Sequence, residues 1–152
     1  MSTYIAKNAT VVGDVMLGDN VSIWYNAVLR GDCGTITVGA GTNIQEGCIL
    51  HEETTLGENC TVGHGAIVHG CTIGNNCLIG MGAIILDGAV IGNDCIVGAG
   101  ALVTGKMNAP DGSLILGSPA TVVKAVSAAQ IQGNAESARH YIELARKGLP
   151  EG

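Results

Sequence analysis

The sequence predicts an all-β fold, a parallel β-helix of six-residue repeats, followed by one C-terminal α-helix. Three observations predict it: an aliphatic residue recurs every six positions, a small or β-branched residue follows it by four, and helix-forming residues dominate the C-terminal segment. A short repeating period of this kind is the signature of a solenoid. The 152 residues are enough for one domain with a core of its own.

The aliphatic positions define the repeat. Steps of six are interrupted twice, by three extra residues after Leu29 and by one missing residue after Val68. Three hexads make one coil, so residues eighteen apart should stack at the ordinary strand separation of about 4.7–4.9 Å. We expect the following side chains to point inward: Ile5, Val11, Leu17, Ile23, Leu29, Val38, Ile44, Leu50, Leu56, Val62, Val68, Ile73, Ile79, Ile85, Ile91, Val97 and Val103.

The six cysteines follow the same period. Cys33 follows Leu29 by four, and the others each precede a stacked aliphatic residue by two; these are Cys48, Cys60, Cys71, Cys77 and Cys95. None belongs to a C-x-x-C pair. We therefore predict that all six fill small inward-facing positions as reduced thiols, which pack like compact apolar groups, instead of forming disulfides or binding metal.

The change of composition near residue 120 predicts the domain organisation: a β-helix over 1–120 and an α-helix over 127–147 that packs on the same domain. Ser127 is a suitable N-cap, and Gly148 and Pro150 end the helical pattern. The helix should lie along a face of the prism, of its own chain or of a neighbour. Its apolar stripe consists of Ile131, Ala135, Ala138, Tyr141, Ile142 and Ala145.

Charge and hydropathy limit the partners. The formal net charge is −6 and basic residues form no run, which argues against nucleic acid and anionic membrane surfaces. No apolar run reaches the roughly 18 residues of a membrane span, and the N-terminus lacks a signal-peptide pattern. We expect a cytoplasmic protein with no nucleic-acid or membrane partner.

Two histidines stand where the repeat usually has glycine. His51 and His69 directly follow Leu50 and Val68, so they should share one vertical column. Two imidazole nitrogens on a tetrahedral zinc ion lie about 3.3 Å apart, which side chains one coil apart can reach. The alternative is a pair of solvated corner histidines. Arg30 occupies the same column one coil below His51.

Further polar residues surround this column. Asp32 lies beside Arg30 in the three-residue insertion. The two residues form either an ordinary surface ion pair or a pair that stabilises subunit contacts. His64 belongs to the preceding hexad and should miss an ion held by His51 and His69, unless it reaches the ion of another subunit in a symmetric ring. Gln45 should lie next to His64, either as a surface residue or as a group that holds a metal-bound water.

Three segments resemble the γ-class carbonic anhydrases: residues 23–32 (IWYNAVLRGD), 42–47 (TNIQEG) and 62–71 (VGHGAIVHGC). The likeness covers nearly the whole chain. It implies a left-handed triangular coil and a homotrimer with a metal ion between subunits. It further implies that zinc, or Fe²⁺ or Co²⁺ in its place, is held by His51 and His69 of one chain and His64 of its neighbour.

The same resemblance implies roles for other residues. Arg30 and Asp32 correspond to an intersubunit pair, Asn43 and Gln45 to polar residues near the bound water, and Tyr141 to a tyrosine of the C-terminal helix near the site. The implied reaction is the hydration of CO2 to bicarbonate through a metal-bound hydroxide.

The sequence departs from the family in its acidic groups. Cys33 stands where the family has a glutamate, and the acidic loop after the first metal histidine is missing, so Glu52 and Glu53 are the remaining candidates for relaying protons. Two alternatives therefore stay open. One is an acyl-CoA-dependent acyltransferase of the hexapeptide-repeat class, and the other is a metal-binding homologue without catalytic activity.

Overall fold

The structure is a computed structural model that describes residues 2–152. The predicted β-helix domain 1–120 also includes Met1, which lies outside the described residues. Short strands follow one another along the chain and a single helix closes it. In chain order the elements are β1 (Tyr4–Ile5), β2 (Thr10–Leu17), β3 (Ser22–Ile23), β4 (Val28–Val38), β5 (Asn43–Ile44), β6 (Ile49–His51), β7 (Thr54–Leu56), β8 (Thr61–Val62), β9 (Ile67–His69), β10 (Thr72–Ile73), β11 (Leu78–Ile79), β12 (Ile84–Ile85), β13 (Val90–Ile91), β14 (Ile96–Val97), β15 (Leu102–Val103), β16 (Asn108–Ala109), β17 (Ser113–Gly117), β18 (Ala120–Ala125) and α1 (Ala128–Gly148).

The strands form three parallel faces. The first stacks β1, β3, β5, β8, β11, β14 and β17; the second stacks β6, β9, β12 and β15; the third stacks β7, β10, β13 and β16. The longer strands β2 and β4 continue around one corner and join the second and third faces into one sheet. This arrangement confirms the predicted left-handed parallel β-helix with a C-terminal helix.

The predicted aliphatic residues form the core. From Ile23 to Val103 every one of them is buried, and they stack with the equivalent residues of adjacent coils. Ile5, Val11 and Leu17 are only partly buried, because they belong to the first coil, which has a neighbour on one side only. Removing such side chains from water is the main contribution to the stability of the solenoid.

The insertion after Leu29 shapes the surface near the histidines. Strands β2 and β4 pair regularly up to Gly13 and Gly31, and the register then shifts so that Val15 meets Ile36. The residues between Gly31 and Ile36 therefore bulge away from the axis, while Ile36 itself returns to the core with no exposed surface.

The prediction for Cys33 is wrong. The other five cysteines are buried as predicted, but Cys33 is exposed. It lies in the bulge, where the hexad rule that would have turned it inward no longer applies. Burial raises the pKa of the Cys48 thiol to about 11 and that of the Cys71 thiol to about 12, so these two groups stay protonated at neutral pH.

Helix α1 packs against the first face. Ser127 caps it: its hydroxyl accepts a hydrogen bond from the Gln130 backbone amide at 3.1 Å, and the Gln130 side chain accepts one from the Ser127 amide at 2.8 Å. Ala138 and Ala145 of the predicted stripe are buried. Tyr141 meets Trp24 edge-on, with ring centroids 5.5 Å apart, which fastens the helix to the coil of the same chain.

Two features of the C-terminal part were not predicted. Strand β18 folds back antiparallel on β17, which covers the end of the first face before the helix begins. Asn134 is a buried polar residue of α1, and its side-chain amide donates to the Asn76 carbonyl at 3.1 Å. No helix within residues 2–152 is long and apolar enough to cross a membrane.

Candidate metal centre

Strands β4, β6 and β9 bring Arg30, His51 and His69 into one column. Arg30 is paired in register with His51, and His51 with His69. Nδ1 of His51 lies 3.2 Å from Nε2 of His69, and the ring centroids are 5.2 Å apart. This separation of nitrogens matches the spacing of about 3.3 Å between two imidazole ligands on one tetrahedral ion.

The outer nitrogen of each ring faces a carboxylate. Nε2 of His51 lies 3.1 Å from Oδ1 of Asp32, and Nδ1 of His69 hydrogen-bonds to Oδ1 of Asp87. A ring nitrogen that donates to a carboxylate carries the proton, so the other nitrogen presents its lone pair. We assign these tautomers to both rings from their hydrogen bonds. Two lone pairs then face each other across 3.2 Å, an arrangement that a cation between them would stabilise.

Asp87 was missed in the sequence, although its signal was present. It follows His69 by 18 residues, the same interval that separates His51 from His69. Metal-binding histidines commonly donate their second N–H to a carboxylate, which orients the ring and raises its basicity. A carboxylate one coil above His69 therefore belongs to the pattern that the histidine column already indicated.

Asp32 links the column to Arg30. Its Oδ2 accepts a hydrogen bond from Nη1 of Arg30 at 2.9 Å while its Oδ1 faces His51. The pKa of the Asp32 carboxyl is lowered; desolvation acts in the opposite direction, but the hydrogen bonds from His51 and Arg30 outweigh it. Both side chains are about half exposed (50% and 48%), so this ion pair orients groups more than it stabilises the fold.

Two more side chains approach His51. Oε1 of Glu52 lies 3.8 Å from its Nδ1, the nitrogen that faces His69. The potential ligand atoms of His51, Glu52 and His69 all lie within 4.8 Å of one another, and those of Asp32, Cys33 and His51 form a second such group. The chemistry of this donor set, imidazole and carboxylate, suits a divalent transition ion.

His64 lies apart from this column within one chain. Its Nδ1 is 2.9 Å from Oε1 of Glu46, and its side chain is 51% exposed. The contact is close but does not have the geometry of a hydrogen bond: this Glu46 oxygen is shielded from solvent and has no hydrogen-bond partner among residues 2–152. Neither of the two ligand groups includes His64.

A chain of hydrogen-bonded polar side chains begins at Gln45 and reaches helix α1. Gln45 is buried and donates to Oδ1 of Asn43 at 3.1 Å, and Asn43 donates to the Thr61 hydroxyl at 3.0 Å. The Thr61 hydroxyl is in turn 3.3 Å from that of Ser137 on α1. Asn43 therefore fixes the orientation of the buried Gln45 amide.

A groove of about 380 Å³ runs along this side of the coil and is lined by Gln45, His64, Ser137 and apolar residues such as Met81. Burial, and to a lesser degree the Glu46 carboxylate, raises the pKa of the Tyr141 hydroxyl. Another cavity, of about 420 Å³, lies between Tyr25 and Pro150 and is lined by no histidine. One chain thus carries two separate groups of polar side chains: the column of His51 and His69, and the cluster around His64.

Comparison with known proteins identifies the family. The bacterial transferase hexapeptide (six repeats) model matches residues 70–105. The chain is 47% identical over 144 residues to a probable carbonic anhydrase of Methanocaldococcus jannaschii, covering 92% of this chain and 91% of that protein. It is 40% identical over 153 residues to the mitochondrial gamma carbonic anhydrase 2 of Arabidopsis thaliana, covering 94% of this chain but only 55% of that protein.

A solved structure agrees in fold. A hexapeptide transferase family protein from Anaplasma phagocytophilum superimposes with a TM-score of 0.93 at 43% identity, covering 97% of this chain and 89% of that one. The extent of these matches, together with the histidine column, shows that the chain belongs to the γ-class carbonic anhydrase family of hexapeptide-repeat proteins.

Proposed function

We propose that this chain is a metal-dependent carbonic anhydrase that hydrates CO2 to bicarbonate in the cytoplasm. One observation carries the proposal: Nδ1 of His51 and Nε2 of His69 lie 3.2 Å apart while their opposite nitrogens face Asp32 and Asp87. Such an arrangement is typical of histidines that bind a metal. The family relatives named as carbonic anhydrases support the same activity.

The proposed assembly is a homotrimer in which the histidine column of one subunit meets His64 of the next. His51 and His69 of one subunit and His64 of the partner subunit would hold the ion, which is Zn²⁺ with Fe²⁺ and Co²⁺ as alternatives, because imidazole suits all three. The half-exposed position of His64, away from its own chain's column, supports this division. The symmetry of a closed ring gives each interface one complete set of ligands.

The protein groups have separate tasks in this proposal. When bound, the ion would lower the pKa of a coordinated water toward neutrality. Asp32 and Asp87 hold His51 and His69 in the tautomers that bind metal. Gln45, positioned by Asn43, offers its amide to the reacting oxygen atoms. Arg30 orients Asp32, and Tyr141 anchors α1 to the coil through its contact with Trp24.

Metal content and activity test the proposal together. Purified protein should carry about one ion per chain, sediment as a trimer and hydrate CO2 in stopped-flow assays after loading with Zn²⁺ or, without air, with Fe²⁺. His69→Ala should lose both the ion and the activity. His140→Ala removes an exposed histidine of α1 and should keep both, which makes it the matched control. Equal metal content in the two variants would refute the site.

A second candidate is an acyl-CoA-dependent acyltransferase. It is favoured by the transferase description of the matched family model and by the name of the Anaplasma phagocytophilum protein. Acetyl-CoA titrated calorimetrically into the metal-free protein separates the two, because only an acyltransferase would bind it. A third outcome, a metal-loaded trimer that neither hydrates CO2 nor binds acetyl-CoA, would identify a metal-binding homologue without catalytic activity.

A further inference from the structure

Glu52 occupies a backbone conformation that its residue type disfavours. Its φ is 63°, in the left-handed region. The other described residues with positive φ, glycines aside, are asparagine or aspartate: Asn20, Asn26, Asn59, Asn76 and Asp94. Asn and Asp tolerate this region because their short side chains bond to the local backbone, whereas Glu has no such compensation. Strain of this kind persists where neighbouring contacts enforce it and is concentrated at functional sites.

The corner that contains Glu52 is held from two sides. The buried Thr54 hydroxyl donates to the His51 carbonyl at 2.9 Å and accepts from the Gly70 amide at 3.0 Å. On the outer side the bulge lies directly against this corner. A Cβ atom at Gly34 would be only 2.8 Å from the Glu53 backbone nitrogen. These contacts leave the Glu52 backbone little room to relax, so the direction of its Cα–Cβ bond is fixed by the fold.

That direction places the Glu52 carboxylate beside the two facing nitrogens. Oε1 of Glu52 is 3.8 Å from Nδ1 of His51, and the ligand atoms of Glu52, His51 and His69 all lie within 4.8 Å of one another. A distance of 3.8 Å is too long for a hydrogen bond. It is compatible with two ligands on one ion, because bonds of about 2.0–2.2 Å on each side put ligand atoms roughly 3–4 Å apart.

We propose that Glu52 is a metal ligand from the same protomer as His51 and His69. The inference rests on the metal site of the proposed function and extends it: one chain supplies two imidazoles and one carboxylate, a set typical of divalent transition ions that keep open positions. A single protomer therefore binds the ion before any partner contributes. With His64 of the partner subunit added, four side chains would hold the ion.

Titration of the metal-free, full-length protein with Co²⁺ tests this inference. The visible absorption of bound Co²⁺ depends on the number and type of its ligands, so it reports coordination independently of enzyme activity. Glu52→Gln should weaken Co²⁺ binding by about tenfold or more and change the absorption bands. Glu53→Gln removes the same charge from the adjacent, exposed residue and should titrate like the wild type. His64→Ala should still bind Co²⁺, with a changed spectrum.

The outcomes separate this inference from the proposed function. If Glu52→Gln and the wild type give superimposable titrations and spectra while His69→Ala binds nothing, Glu52 is not a ligand but the metal site stands. If the wild type itself binds no Co²⁺, both proposals fail. Should Glu52→Gln fold poorly, Glu52→Asn serves in its place, because Asn suits the left-handed backbone and its side chain is too short to reach the ion.

Discussion

Nδ1 of His51 lies 3.2 Å from Nε2 of His69, so two imidazoles in adjacent coils turn their nitrogens toward each other. The geometry follows from the strands: β6 and β9 pair these residues in register, and the strand separation of about 4.8 Å brings the side chains close without bending the backbone. Asp32 and Asp87 contact the pair at either end, which makes a continuous row of two imidazoles flanked by two carboxylates.

Removing the upper carboxylate should weaken metal binding. In Asp87→Asn the acceptor for Nδ1 of His69 loses its charge, so the ring is less firmly oriented and less basic. We expect affinity for Zn²⁺ to fall by about 10–100-fold, measured by competition with a chromogenic chelator. Asp19→Asn removes the same charge in the first coil, where the Asp19 carboxylate accepts from the Ser2 amide, and should leave the affinity unchanged. Identical affinities in the two variants would contradict the orienting role.

Relieving the strained corner should stabilise the metal-free protein. Glu52→Asn places a residue that tolerates positive φ where Glu has φ 63°, and we expect the free energy of unfolding to rise by about 1 kcal/mol. Urea denaturation without metal measures it. Glu53→Asn makes the same exchange at the next residue, which does not have a positive φ, and should not raise the free energy of unfolding. A metal-free Glu52→Asn protein no more stable than the wild type would show that the corner carries no strain.

The exposed thiol of Cys33 should react differently from the five buried thiols. A thiol reagent should modify Cys33 in the native protein and all six cysteines only after unfolding, since the other five are buried. The nearby Asp32 carboxylate raises the pKa of the Cys33 thiol, because a thiolate next to it would be a like charge. The rate of Cys33 modification should therefore increase at a higher pH than the rate for the thiol of glutathione. Asp32→Asn should shift this dependence of rate on pH toward lower pH. Cys33→Ser should abolish the fast reaction; a persistent one would place a second cysteine at the surface.

The helix cap should contribute measurably to stability. Ser127→Ala leaves the Gln130 amide without its acceptor, and we expect a loss of about 1 kcal/mol in the free energy of unfolding. Ser127→Asn keeps a side-chain oxygen at the cap and should restore most of that loss. Denaturation followed by circular dichroism at 222 nm measures both variants. An alanine variant as stable as the wild type would mean that contacts between α1 and the first face alone set the helix boundary.

The sequence by itself determined the architecture. When an aliphatic residue stands at the first position of every six, one arrangement buries all of these residues: a coil in which equivalent side chains of adjacent turns stack on one another. Spacing alone therefore assigns Ile44, Val62 and Ile79 to one core column, and the strand pairing confirms it. The same arithmetic placed His51 beside His69. Ser127 was predictable because capping is a local property of the chain.

Only the tertiary structure decided what happens where the period breaks. The register of Cys33 depends on how the bulge after Gly31 leaves and rejoins the sheet, which spacing does not specify, and so the thiol lies outside instead of inside. The direction of the Glu52 carboxylate depends on a left-handed corner that Thr54 and Gly34 enforce through space. Repeats encode contacts between residues a constant interval apart, whereas the orientation of a side chain at an irregular corner is set by neighbours whose positions follow no period.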